Sequence, residues 1–162
     1  MMLNAAERER LQFLARIVPK ERDHLESTDR RLFAEPFTAQ RAGMLDENPE
    51  LAERVEAFVS RFGRLQDTLG DKLLPLFLKA AGEQVGVAID NLDRAERLGL
   101  MPSVEEWMTM RKLRNQMVHE YIEDNRILAN ALQSGHGFVP TLRSVTDGLL
   151  SEIERHGWSC PQ

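Results

Sequence analysis

Cysteine is almost missing from this chain of 162 residues: Cys160 stands alone, two residues from the end. A single thiol excludes both a disulfide framework and a cysteine-rich zinc site, and it fits a reducing compartment. No apolar run approaches the ~20 residues that a membrane span requires. The opening stretch, MMLNAAERERLQ, carries no apolar core of the secretory-signal kind. A cytoplasmic location with no membrane partner is therefore expected. Positive charge is also in short supply, with Lys and Arg totalling 21 against 26 Asp and Glu, a net charge of −5. Proteins that grip long stretches of nucleic-acid backbone are usually basic. Any RNA contact here must be local, or made by a small basic patch.

Strict alternation of apolar and polar residues is lacking as well, so sheet is excluded beyond trivial pieces. What remains is helical periodicity nearly throughout. Leu51, Val55, Phe58, Val59, Phe62, Leu65, Leu69 and Leu73 recur at steps of mostly three and four and form one stripe of a long helix. Asn48 is suited to cap it, and Pro49 to occupy its first position. Gly63 and Gly70 inside this stripe each cost about 1 kcal/mol against Ala; close packing of another helix is the simplest account of them. Pro75 is expected to kink or end the helix near Leu74.

Upstream, Leu11, Leu14, Ile17 and Val18 form a shorter stripe that Pro19 should interrupt, with a second helical stretch from Lys20 to Leu32. The segment from Ala34 to Glu47 reads as a connection. Leu76 to Ala88 is apolar and rich in small residues, Ile89 to Leu98 continues as helix, and Gly99 reads as a stop. Ser103 and Glu106 form a capping-box pattern that opens a helix carrying Trp107, Met110, Leu113, Met117 and Tyr121 on one stripe. Ile127 to Leu132 reads as a short helix, Ser134 to Pro140 as a loop, and Leu142, Val145, Leu149 and Ile153 as the last helix. The expectation is a single all-α domain over residues 1–162: an antiparallel bundle of four long helices with shorter pieces between them.

Few residues suggest chemistry. His24, His136 and His156 lie in polar or loop surroundings and read as ordinary surface groups. No histidine has a second one three to five positions away, and neither a glycine-rich phosphate loop nor a G-x-S-x-G elbow occurs, so neither a metal nor a cofactor is expected. His119 differs, because Arg111, Arg114, Asn115 and Tyr121 surround it. Arginine offers a planar, permanently charged fork for phosphoryl oxygens, and histidine exchanges protons near neutral pH. At ~100° per residue, Arg111, Asn115 and His119 share a face, whereas Arg114 and His119 stand about 140° apart. On a regular helix those last two cannot converge. Either the helix loosens near His119 or a second copy of the chain completes the site. Spacing alone favours a plain capping and packing group.

The run Arg114-Asn-Gln-Met-Val-His119-Glu-Tyr121 matches R-x4-H-x-Y, and here the chain resembles the HEPN superfamily in its HepT-like toxin branch. The likeness covers residues 48–157 as the bundle core, with residues 1–47 matching more loosely. It implies a homodimeric, metal-independent endoribonuclease toxin of a toxin–antitoxin module, with two motifs meeting in a cleft between subunits. By this resemblance His119 acts as general acid/base in RNA cleavage and Arg114 stabilises charge on the scissile phosphate. Arg111 supports RNA binding, and Asn115 orients the substrate. Tyr121 is the hydroxyl that a partner nucleotidyltransferase antitoxin modifies with AMP. The alternative is a non-catalytic docking subunit of such a nucleotidyltransferase, which has no need of the complete Arg114, His119 and Tyr121 set.

Overall fold

The computed structural model describes residues 3–119 and 124–159, with His119 described in its backbone alone. Its elements are α1 (Ala5–Leu32), α2 (Ala39–Ala42), α3 (Pro49–Asp67), a π-helical segment (Thr68–Leu73), α4 (Leu74–Ala80), α5 (Ala88–Arg97), α6 (Val104–His119) and α7 (Asn125–Arg155). No strand occurs among the described residues, and the chain is an all-α helical bundle. The described residues fall into two compact units. One is drawn from 1–22, 65–104 and 142–162, the other from 23–64 and 105–141.

Local signals decide most helix ends. Asn4 Oδ1 accepts from the Glu7 amide at 2.8 Å at the start of α1, and Asn48 Oδ1 accepts from the Leu51 amide at 3.1 Å ahead of Pro49. α6 begins one residue after Ser103, as its capping pattern implies. α5 ends in a Schellman turn: Gly99 takes φ +75°, and the Leu100 amide donates to the Ala95 carbonyl at 2.9 Å. Any residue with a Cβ is strained at that φ. The connection read over Ala34–Glu47 also contains the short α2, capped by Thr38, whose hydroxyl accepts from the Arg41 amide.

Two proline and glycine signals act differently from the sequence expectation, at Pro19 and over residues 134–140, whereas the boundary expected near Leu74 is present. Pro19 does not interrupt α1, which runs unbroken from Ala5 to Leu32. The buried positions Leu11, Leu14, Val18, Leu25, Thr28 and Leu32 keep one three-and-four register through it. Each buried aliphatic contributes roughly 1.5–3 kcal/mol, which outweighs the ~3 kcal/mol of one helix-interior proline. Residues 134–140 are likewise no loop: α7 passes through Gly135, Gly137 and Pro140. Its stripe of Leu128, Leu132, Val139, Leu142, Val145, Leu149 and Ile153 is buried, and Gly135 lies in register within it. A Cβ at Gly135 would stand 3.3 Å from Phe58 Cε1 and 3.5 Å from Met117 Sδ. That glycine marks a close approach of helices rather than a turn. Ahead of Pro75 the chain widens into the π segment, where the Leu74 amide donates to Leu69, five residues back. The proline then sits in the first turn of α4, where its missing N–H costs little.

In the first unit Phe77 meets Trp158 edge-on at 5.7 Å, Arg22 pairs with Asp147 at 2.6 Å, and Lys79 pairs with Glu7 at 2.8 Å. In the second, Phe33, Phe58 and Phe62 form an aromatic chain with ring centroids 5.1 and 5.8 Å apart. Trp107, Met110 and Met117 bury the inner face of α6.

Candidate functional site

α6 carries the residues singled out from the sequence. Its inner stripe holds it by Trp107, Met110 and Met117, all buried, while Leu113 is half-buried. Arg111 and Arg114 are half-buried and Asn115 is exposed. The Arg114 side chain runs across α3 at Gly63. A Cβ built on Gly63 would lie 2.6 Å from Arg114 Nε and 3.1 Å from both Cδ and Cζ. Gly63 is thus the seat of the arginine: what packs against this mid-helix glycine is a side chain, and any larger residue there displaces it. Met117, on the same helix, reaches Gly135 of α7.

The backbone of α6 is regular α-helix through His119, its last residue. That is the geometry in which positions 114 and 119 lie about 140° apart around the axis. Nothing in the described part of α6 loosens to bring them together. The side chain of His119, and Tyr121 as a whole, lie outside the described residues.

α3 carries two arginines close to Gly63 in the chain, on other faces of the helix. Arg64 is exposed and bonds Ser60 Oγ at 3.4 Å. Arg61 donates through Nη1 to the His24 carbonyl at 3.2 Å and to Thr28 Oγ1, which ties α3 to α1. Among the described residues there is no grouping of three or more His, Cys, Asp and Glu placed to hold a metal ion. No helix among them is long and apolar enough to cross a membrane.

One pairing was not legible beforehand. His136, read as a loop residue, sits within α7 with Nδ1 2.7 Å from Asp29 Oδ1 of α1, and its ring stacks on Phe33 at 4.4 Å. An ionised carboxylate only accepts, so Nδ1 is the donor in this bond. Phe33 directly follows α1 and its amide donates to the Asp29 carbonyl at 3.0 Å, so the two residues, four apart, share a face; that spacing is the one sequence signal for this seat. In the other unit, the hydrogen bond from Arg155 holds the Glu152 carboxyl below the usual carboxylate range.

No protein-family model, curated protein or solved structure matches the chain.

Proposed function

We propose that this chain is a metal-independent endoribonuclease toxin of the HEPN type, acting as a homodimer and silenced by a nucleotidyltransferase antitoxin. The observation that carries the reading is the R-x4-H-x-Y run, whose Arg114-to-His119 part closes α6 of an all-α bundle, with Arg114 seated on Gly63. A rigid seat for the arginine suits electrostatic stabilisation, because a preorganised cation needs no rearrangement as charge builds on the phosphate. The regular helix through His119 supports a site completed by a second copy, since one chain presents positions 114 and 119 in different directions.

In the proposed reaction a histidine removes the proton of the RNA 2′-hydroxyl. That oxygen attacks the adjacent phosphorus, the bond from phosphorus to the 5′-oxygen breaks, and an acid returns a proton to the leaving oxygen. His119 of one copy, facing Arg114 of the other, takes that proton as base and, once protonated, returns it as the acid. Arg114 faces the phosphoryl oxygens, with Arg111 and Asn115 supporting the strand. Transfer of AMP to Tyr121 adds bulk and negative phosphate beside the histidine, which repels RNA and closes the cleft.

The test is cleavage of a mixed RNA substrate in EDTA by wild type and by His119→Ala, with the intact mass of each recorded. Cleavage lost in the variant supports the reading. An unmodified, dimeric wild type that cuts nothing overturns it and leaves the docking subunit. An inactive protein heavier by whole AMP units identifies the silenced toxin.

A further inference from the structure

The outer face of α1 carries a feature that the motif on α6 does not use. Leu11, Leu14 and Val18 turn one side of this helix into the core, and Phe13 stands on the other with 43% of its surface exposed. Beside it lies a shallow depression of about 540 Å³, lined by Ala6, Glu9, Arg10, Gln12, Phe13 and Arg16. The Arg10 guanidinium is 5.9 Å from the centre of the Phe13 ring. Arg10 and Arg16 lie about 60° to either side of Phe13 around the axis, and Lys20, two turns on, only about 20° from it. Arg10, Arg16 and Lys20 are all exposed, and none makes an ion pair among the described residues. Against these three cations the face sets one carboxylate, Glu9. Glu7 and Glu21, farther round the helix, are engaged by Lys79 at 2.8 Å and by the Thr68 hydroxyl at 3.4 Å. Asp23, a turn past Lys20, forms no ion pair with it. In a chain of net charge −5, a stripe of three cations to one acid is a local reversal of sign.

An exposed ring alone needs no explanation. A ring set among uncompensated cations matches the two parts of a nucleotide at once. A base stacks on any aromatic face, and a neighbouring guanidinium adds to the stack through its own planar cation. Phosphates take the charges at Arg16 and Lys20, roughly 4.5 and 10.5 Å along the axis from Phe13. An acidic peptide satisfies the cations but leaves the ring without a planar partner. We infer that the outer face of α1 binds single-stranded RNA, with a base stacked on Phe13 and the phosphate backbone along Arg16 and Lys20. The inference rests on the ribonuclease reading only in taking RNA as the strand, and it describes a hold on that substrate separate from the α6 motif.

The probe is a short, fluorescently labelled single-stranded RNA made uncleavable by 2′-O-methylation, its binding to the full chain followed by anisotropy over roughly 50–200 mM salt. Phe13→Leu keeps apolar bulk but removes the ring, and is expected to bind about tenfold more weakly with an unchanged salt slope. The double variant Arg16→Gln, Lys20→Gln is expected to flatten the plot of log affinity against log salt by roughly 0.7 for each charge removed. Arg16→Lys, which keeps the charge, is expected to keep the slope. All three positions are exposed, and circular dichroism melts confirm that each variant is folded. A wild type that binds and cleaves, with every variant binding equally well, would overturn the α1 face alone. A poly-glutamate peptide bound as tightly as the RNA, with Phe13→Leu without effect on either, also overturns it and makes the face a seat for acidic protein. A wild type that binds through Phe13 yet cuts nothing in EDTA supports the face and removes the ribonuclease reading. A wild type that neither binds nor cleaves removes both.

Discussion

Arg114 occupies the space a side chain at position 63 would need: its Nε is 2.6 Å from where a Cβ would stand. The glycine is placed mid-helix, where alanine would be more stable by about 1 kcal/mol, so its absence of a side chain has a specific use. The contact links α3 to the helix that bears the candidate chemistry.

Gly63→Ala sets helix propensity against that contact. The variant is expected to fold with stability within about 0.5 kcal/mol of wild type, because the propensity gain is offset by displacement of the arginine. RNA cleavage is expected to fall at least tenfold, since Arg114 no longer rests in its seat. In an Arg114→Ala background the same substitution should stabilise by about 1 kcal/mol. Urea denaturation of all four proteins measures the coupling, and additivity would show that the contact carries no energy.

Two glycines of α7 separate packing from propensity. Gly135→Val forces Cβ and γ-methyl groups toward Phe58 and Met117 and is expected to destabilise by about 1–3 kcal/mol. At Gly137 a Cβ meets nothing within 4 Å, so Gly137→Ala should stabilise by up to about 1 kcal/mol. Were residues 134–140 a loop, both changes would be close to neutral. Thermal melts of the pair are sufficient to tell.

The Asp29–His136 hydrogen bond fastens α1 to α7 at a half-exposed position. A double-mutant cycle of Asp29→Asn and His136→Gln at neutral pH should return a coupling of roughly 0.5–1 kcal/mol, the discount from a buried bond reflecting solvent screening. A coupling near zero would mean that Phe33 stacking alone holds the ring.

A site shared between copies makes a prediction that no single variant can. His119→Ala and Arg114→Ala are each expected to be inactive in RNA cleavage. Mixed in equal amounts and allowed to exchange subunits, they should recover about a quarter of wild-type activity, because half the dimers then carry one intact site of two. Mixtures that stay inactive after proven exchange would place both residues of a site on one chain.

How much was legible beforehand depended on range. Asn48–Pro49, Ser103 and Gly99 mark their helix boundaries correctly because capping involves residues within one turn. Pro19, Gly135 and Pro140 misled for the same reason: they are local signals, and along α1 and α7 a continuous apolar stripe outweighs them. The candidate motif was legible as a string, because its residues are close together in the chain. Its support was not. Gly63 reads from the sequence as a place where another helix packs closely, but only the tertiary structure shows that what packs there is the Arg114 side chain.

The amino-acid sequence by itself determined the all-α class, most helix starts and stops, and the placing of Arg111, Arg114, Asn115 and His119 on one helix. Each of these follows from hydrogen bonding and apolar spacing over a few residues. The tertiary structure alone decided that Arg114 lies on Gly63 and that Asp29 holds His136 across 107 positions. Those relationships arise when buried stripes choose which helices meet, and side chains far apart in the chain acquire neighbours that no local pattern encodes.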